Sequence, residues 1–150
     1  MSFLIGCAAT FERALRVANV SFRFLGAHNS SIRCIPAGRF RGHMVVSCRA
    51  FKNSNDAVKA IQVSSRHLLS HGPPVHVGDP AQIGIKDLYN PDVFSVGPIA
   101  PLSAGEIVMY WGCGITPQTI AVESKIPFMI THCPDHMFVT DKLYEELASC

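Results

Sequence analysis

The chain has 150 residues, of which 48% are hydrophobic and 16% charged, and its formal net charge is +2. Such a composition is typical of a compact globular chain and excludes a disordered one. The basic residues are scattered and form no stripe with aromatic residues between them, so we expect no nucleic-acid partner. No apolar run approaches the ~20 residues that a membrane span needs, so we expect no membrane partner either.

The six cysteines form no CxxC pair, and their spacing matches neither a zinc site nor a small disulfide framework. This usage predicts reduced thiols in an intracellular protein, cytoplasmic or, for a eukaryotic source, in the mitochondrial matrix. The apolar start lacks a basic region and soon carries Glu12 and Arg13, which favours a strand and a helix over a signal peptide.

The first half of the chain predicts two strand–helix units with a loop between them. Residues 3–7 form a short apolar run typical of a buried strand, and Thr10 can cap a helix over residues 11–20. Residues 21–41 are rich in Gly, Pro, Asn and Ser and are expected to be mostly loop. Residues 44–51 predict a strand, and apolar residues at helical spacing predict a helix over residues 55–70.

The second half is predicted to contain a crossover unit at residues 105–140. A strand at 107–111 precedes the turn Gly112-Cys113-Gly114, a helix that begins at Thr116-Pro117, and a second strand at 128–131. A strand, helix and strand of this length predict parallel strands. We therefore expect an α/β fold with a mixed, partly parallel sheet flanked by helices. It forms one region, residues 1–150, with a smaller α+β part at about 31–100.

Parallel strands would bring the turn after residue 111 and the loop at 132–136 to one edge of the sheet, where α/β proteins bind ligands. The backbone N–H groups of Gly112 and Gly114, near a helix start, can hold a carboxylate or an oxyanion. Thr116 and Gln118 can add side-chain donors. The alternative is a purely structural turn that Thr116 caps.

His132 and His136 flank Cys133-Pro134-Asp135, and imidazole groups transfer protons near neutral pH. Asp135 is a further candidate contact in this loop. The spacing of the two histidines is also that of a zinc pair, although Pro134 opposes the helical geometry such a pair needs. We thus predict no cofactor and keep a divalent metal as an alternative. In the plainest interpretation, a histidine only bonds the backbone of the turn.

Three further residues are weaker candidates. Cys113 could be a nucleophile whose thiolate the helix dipole favours, although most cysteines in turns are inert. His76 and Asp79 could contact a substrate. Asp79 is also suited to cap a helix that begins at Pro80, and a lone strand histidine is more often structural.

Several motifs together resemble a hydro-lyase family whose best-described relative is D-glutamate cyclase. They are SFLIGC, TFERAL, IPAGRFRGHMVVS, HGPPVHVGDPAQIGIKDL, YWGCGITPQ and PFMITHCPDHMFVTD, and they span residues 3–141. The resemblance implies an α/β protein that eliminates water, as in the closure of D-glutamate to 5-oxo-D-proline. It places the family's motif cores on residues 76–80, 112–118 and 131–137.

Two departures from the family pattern affect these expectations. Family members extend further at the N-terminus, so the chain matches the C-terminal part of the pattern and is expected to be a truncated form. Where the family has Ala-Pro-Gly between its histidines, this chain has Cys133-Pro134-Asp135, which changes a turn that glycine can form at positive φ.

The expected function is a lyase that eliminates water from a small carboxylate or amino acid, with D-glutamate as the leading substrate. The alternative is a non-catalytic module that binds small carboxylates, or an inactive truncated relative. A metal-dependent hydrolase is a third interpretation. Missing upstream strands would leave a sheet edge open, which favours a homo-oligomer.

Overall fold

A computed structural model describes residues 2–134 and 136–148. Its strands are β1 (Phe22–Arg33), β2 (His43–Phe51), β3 (His76–Val77) and β4 (Ile107–Gly112). They form one sheet in the order β1–β2–β4–β3, and every pair is antiparallel. The helices are α1 (Ala8–Val17), α2 (Ser54–Ser64) and α3 (Thr116–Glu123), with short 3-10 helices at Leu68–Ser70, Pro80–Ile83 and Tyr144–Leu147. The fold is therefore mixed α/β, as expected.

The predicted parallel crossover is wrong. Helix α3 follows β4, but residues 128–131 have no regular structure, and the neighbours of β4 are the antiparallel strands β2 and β3. The side chains of Phe128 and Ile130 are 78% and 81% exposed. An apolar run with high strand propensity forms a strand only when a partner pairs with its backbone and packs on its side chains.

Two predictions for the first half are also wrong. Residues 3–7 are not a strand, and residues 21–41, expected to be mostly loop, contain the twelve-residue strand β1. A β-bulge at Gly26 interrupts β1, since Phe24 pairs with Arg49 while Ala27 pairs with Ser47. Gly26 has φ +90°, and a Cβ there would lie 2.4 Å from Pro91, so only glycine fits. The bulge shifts the alternation of polar and apolar residues that marks a strand in sequence.

The other main elements are present, but α1 begins at Ala8, with Cys7 and not Thr10 as its N-cap residue, and ends at Val17, before the predicted limit of residue 20. Strands β2 and β4 lie within a residue of their predicted bounds. Helix α2 is capped by Asn53, whose side chain accepts from the Asp56 N–H at 2.9 Å, but it ends at Ser64, before the predicted limit of residue 70. Asp79 accepts from the Ala81 N–H at 2.9 Å and caps the 3-10 helix that Pro80 begins.

The sheet has a core on each face because successive strand residues point to opposite sides. Helices α1 and α2 cover one face, with a core of Phe11, Leu15, Val20, Phe51, Ala57, Ala60, Met109 and Trp111. Loops and the Pro80–Ile83 helix cover the other, with a core of Leu25, Val46, Cys48, Ala50, Ile83, Ile85, Leu88, Val108 and Tyr110. Residues 31–100, the expected smaller part, supply β2 and β3 to this same sheet.

Among the described residues, none of the helices combines the length and apolar character needed to cross a membrane.

Candidate functional site

The turn after β4 is fastened to the middle of the sheet. The Cys113 N–H donates to the Val45 carbonyl at 2.9 Å. The Thr116 hydroxyl accepts from the Val45 N–H at 3.1 Å and lies 3.2 Å from the Val45 carbonyl, to which it can also donate. Helix α3 has Ile115 as its N-cap residue, without a side-chain cap bond, so Thr116 ties the helix to β2 and does not cap it. This anchoring fixes the turn at the end of β4.

Three loops meet at this end of the sheet. Because β3 runs antiparallel to β4 and the Val75 N–H donates to the Tyr110 carbonyl at 2.7 Å, the residues before Val75 pass beyond the end of β4. A Cβ built on Gly114 would lie 3.9 Å from Cε1 of His71 and 4.0 Å from the carbonyl oxygen of Gly6. Segments 6–7, 70–71 and 113–114 therefore border one small space.

Glycine at position 6 is required for this convergence. A Cβ built there would lie 1.8 Å from the Leu69 carbonyl oxygen and 3.2 Å from Cα of Ser70, so any side chain would push the loops apart. His71 adopts φ +80°, a left-handed conformation that is uncommon for a residue other than glycine. Such conformations cost free energy and concentrate at functional sites.

Burial lowers the pKa of His71, and the nearby positive charge of Arg49 lowers it further. The imidazole is therefore neutral at neutral pH. The pKa of the Cys113 thiol is raised, because burial outweighs the hydrogen bond from the Ile115 N–H and the charge of Arg49. Any stabilisation of the thiolate by the start of α3 is thus smaller than the cost of burying it, and the resting group is a neutral thiol.

Arg49 lies beneath the three loops and is almost fully buried. Its Nε and Nη2 atoms donate to Oε1 of Glu12 at 2.9 and 2.5 Å, and its Nη1 donates to the Ser47 hydroxyl at 3.0 Å. Its guanidinium carbon lies 5.0 to 5.3 Å from the ring centroids of Phe11, Phe24 and Trp111. Glu12 neutralises most of the charge, but the guanidinium still raises the local potential at the site.

Sequence reasoning missed the roles of His71, Cys7 and Arg49. The thiol of Cys7 is close enough to influence the pKa of Cys113. A signal for Arg49 was present, because a charged residue within the apolar run of β2 must find a buried partner. No comparable sequence signal marks His71, whose position depends on the pairing of β3 with β4.

The predicted histidine loop contacts the first turn of α3 through Gln118. The Gln118 side-chain nitrogen donates to the His132 carbonyl at 3.2 Å and lies 3.5 Å from Nε2 of the His132 ring. Nδ1 of His132 lies 2.8 Å from the Cys133 carbonyl, and Nδ1 of His136 lies 3.1 Å from the Pro134 carbonyl. Both imidazoles are exposed and bond the backbone of their own loop. Asp135, the other residue predicted here, lies outside the described residues.

The remaining predicted site residues lie elsewhere on the sheet. Nε2 of His76 is 2.9 Å from the Asp79 carbonyl, and the His76 ring is 5.4 Å from that of Tyr110. Tyr110 belongs to the core opposite the one that holds Trp111 and Arg49. The geometry separates this pair from the three loops, and the Asp79 carboxylate is used as a helix cap.

Within residues 2–134 and 136–148, no three His, Cys, Asp or Glu residues come close enough together to hold a metal ion. The two histidines of the loop contact backbone carbonyls and Gln118 in this part of the chain. The described residues therefore contain no set of side chains that could bind a metal ion.

The fold and the site define a mixed α/β protein with polar and titratable groups gathered where β2 and β4 meet the loops. The model of the D-glutamate cyclase family matches residues 1–141, so the chain belongs to that family. The match covers nearly the whole chain and agrees with the span of the motifs at residues 3–141.

Curated relatives support this assignment at moderate identity. A Pseudomonas aeruginosa protein named "Putative hydro-lyase" is 45% identical over 153 residues, which is 98% of this chain and 56% of the relative. Proteins of the same name from Geobacillus kaustophilus and Pelagibacter ubique are 44% and 42% identical, over 98% and 99% of this chain and 57% and 58% of their own length. The chain thus spans about half the length of the curated relatives it matches.

Proposed function

We propose that this chain takes part in a lyase reaction that removes water from a small carboxylate, with D-glutamate closing to 5-oxo-D-proline as the leading case. Family membership and the names of the relatives support this class of reaction. The observation that carries the proposal for the site is the contact of Gln118 with His132, which joins the first turn of α3, directly after the turn that follows β4, to the histidine loop.

The chemistry requires proton transfers and no redox step. The substrate nitrogen, an ammonium at neutral pH, first loses a proton. The freed amine then attacks the side-chain carboxyl carbon, so a C–N bond forms and one C–O bond breaks. Two protons leave the nitrogen and two reach the departing oxygen, which leaves as water. A base must free the nitrogen lone pair, and an acid must protonate the leaving oxygen. Side chains can supply both, so no cofactor is required.

His132 or His136 is the acid in this proposal. Both imidazoles are exposed and can exchange protons with solvent, as a general acid must. The turn and the start of α3 supply donors for a substrate carboxylate: the N–H of Gly114 and the side-chain amide of Gln118. Cys113 stays protonated and lines the site.

The test replaces His132 and His136 singly by Ala and measures water loss from D-glutamate. We expect at least one variant to lose about 100-fold or more in kcat, since acid–base groups contribute ~10²–10⁴-fold. His43→Asn is the matched control, because His43 is an exposed histidine on β2 that belongs neither to the loop at 132–136 nor to the segments around His71. Wild-type rates in both folded Ala variants would rule out the acid role.

A second candidate, a non-catalytic module that binds small carboxylates, is favoured by the backbone contacts of both loop histidines. It uses the same turn donors and needs no proton transfer. D-Glutamate or glutarate would then raise the melting temperature, as any ligand of the folded state does, without any 5-oxo-D-proline being formed. Product formation above the non-enzymatic rate would exclude it.

A further inference from the structure

We propose that His71 is the base of this reaction, and that the space between segments 6–7, 70–71 and 113–114 receives the reacting end of the substrate. This inference rests on the proposed lyase function and names the group that accepts the proton of the substrate nitrogen. In this proposal the base, His71, and the acid, His132 or His136, are imidazoles from two different loops.

The first support is the placement of the His71 ring. Cε1 and Nε2 of His71 lie 3.9 and 4.0 Å from the position a Cβ would take on Gly114. Because Gly114 has no side chain, this space stays open on the ring's Nε2 side. The Gly6 carbonyl oxygen lies 4.0 Å from the same point and borders the same space. A substrate atom in this space could therefore contact Nε2 directly.

The second support is a group of buried polar atoms without partners. The Ser70 hydroxyl and the Trp111 indole N–H are buried and have no hydrogen-bond partner in the described chain. Buried polar atoms are nearly always satisfied, so such atoms call for a ligand or a water. Ser70 precedes His71 directly, and Trp111 precedes the turn of Gly112 and Cys113.

The third support is the supply of donors from Arg49. Its guanidinium has five N–H donors, and its bonds to Glu12 and Ser47 use three of them in the described chain. The Ser70 hydroxyl, the Trp111 N–H and the remaining Arg49 N–H groups are all able to donate. Of these, Arg49 and Trp111 are neighbours, with 5.3 Å from the guanidinium carbon to the Trp111 ring centroid. Donors of this kind fit an acceptor-rich group such as a carboxylate.

The protonation state of His71 suits a base. The charge of Arg49 on β2, which is paired with Glu12 on α1, acts on His71, and the thiols of Cys7 and Cys113 follow Gly6 and precede Gly114, respectively, at the same space. Burial and the charge of Arg49 both lower the pKa of His71, which keeps the imidazole neutral at neutral pH, so that one ring nitrogen can accept a proton. The strained backbone at φ +80° holds the ring in this place at a cost in stability.

The step balances as follows. His71 accepts one proton from the substrate ammonium, and the freed nitrogen attacks the side-chain carboxyl carbon. The C–N bond forms and a C–O bond breaks. The departing oxygen leaves as water with one proton from the acid and the second proton of the nitrogen. The proton on His71 returns to the acid through solvent, so neither group is consumed.

Two substitutions of His71 test the assignment. His71→Asn keeps a residue that tolerates the left-handed backbone, and His71→Gly relieves the strain while opening a cavity the size of an imidazole. We expect kcat for D-glutamate to fall about 100-fold or more in both, with a smaller change in KM. Added imidazole should restore a large part of the rate in His71→Gly, which a merely structural role of His71 would not allow.

The pH profile gives an independent readout. In the wild-type chain, kcat/KM should fall on the acidic side as His71 becomes protonated, and this limb should disappear in His71→Asn. His43→Asn, the exposed control, should keep both the rate and the limb. Circular dichroism and thermal unfolding establish that each variant is folded.

The outcomes separate the two proposals. Turnover in both His71 variants within about threefold of the wild type would overturn the role of His71 alone, because acid–base groups contribute at least ~10²-fold. Absence of turnover in the wild-type chain would reject the lyase function, and the base assignment with it. Loss of rate without rescue by imidazole and with an unchanged acidic limb would also overturn the base role.

Discussion

The sheet with its helices and the described part of the segment at residues 124–148 contain the same kinds of side chains, which are buried in the first and mostly exposed in the second. Phe11, which stacks on Trp111 at 5.3 Å between ring centroids, is 0% exposed. Phe128 and Phe138 are 78% and 77% exposed. Hydrophobic side chains stabilise a fold only when they are removed from water. Composition alone therefore does not tell which part of this chain carries its stability.

The same contrast divides the candidate site. The packed part contains Cys113, His71 and Arg49. Burial there raises the pKa of Cys113 and lowers the pKa of His71. His132 and His136 lie in the exposed segment and bond backbone carbonyls of their own loop. The Gln118 contact with His132 joins the two parts. The sheet fixes the positions of the groups in the packed part, whereas the position of the histidine loop depends on the contact between Gln118 and His132.

The largest difference in the free energy of unfolding should appear when one phenylalanine is replaced in the packed part and one in the exposed segment. Phe11→Ala deletes a fully buried ring and should lower the free energy of unfolding by about 3–5 kcal/mol. Phe138→Ala removes an exposed ring and should change it by no more than about 0.5 kcal/mol. Urea unfolding followed by circular dichroism measures both. A loss above ~2 kcal/mol in Phe138→Ala would show that the exposed segment packs in solution.

A smaller difference should separate two threonines. Thr116→Val removes the hydroxyl that pairs with both the N–H and the carbonyl of Val45, and should cost about 1–2 kcal/mol. Thr140→Val is the matched control, since its hydroxyl only accepts from the Lys142 N–H in the exposed segment. Equal unfolding free energies for the two variants would contradict the anchoring of α3 to β2.

The smallest difference concerns two glutamates at low pH. The hydrogen bond from Arg23, at 2.8 Å from Oε2, and that from the Ser103 N–H lower the pKa of Glu106. A carboxyl whose folded pKa is depressed stabilises the fold above its unfolded pKa, and this stabilisation is lost as the pH falls through the folded pKa. Glu106→Gln should thus lower Tm at pH 7 by up to about 3 °C and flatten its decline in acid.

Glu146 provides the comparison from the exposed segment. The Leu143 N–H and the charge of Lys142 lower its pKa in the same direction. Because Glu146 is solvated, Glu146→Gln should shift Tm at pH 7 by less than Glu106→Gln does. Thermal unfolding between pH 7 and pH 3 measures both variants, and a larger shift for Glu146→Gln would reverse the expected order.

Sequence patterns predicted the elements that are marked by a few neighbouring residues, such as an apolar run or a helix cap. The apolar run of β4, the cap at Asn53 and the Asp79-Pro80 helix start were all recognisable without knowing their partners. Strand β1 was missed because Gly26 and its bulge break the alternation that marks a strand. The turn after β4 was singled out from its glycines, but its neighbour His71 was not, since 42 positions of chain separate His71 from Cys113.

The sequence by itself determined the family, most element positions and the chemical groups available, because each of these depends on residues close together in the chain. Tertiary structure decided that the sheet is antiparallel, that residues 128–131 stay unpaired, and that Arg49 finds Glu12. It also brought His71 to the turn through the pairing of β3 with β4. Strand pairing and burial are long-range properties, and no local pattern encodes which partner a strand or a buried charge will meet.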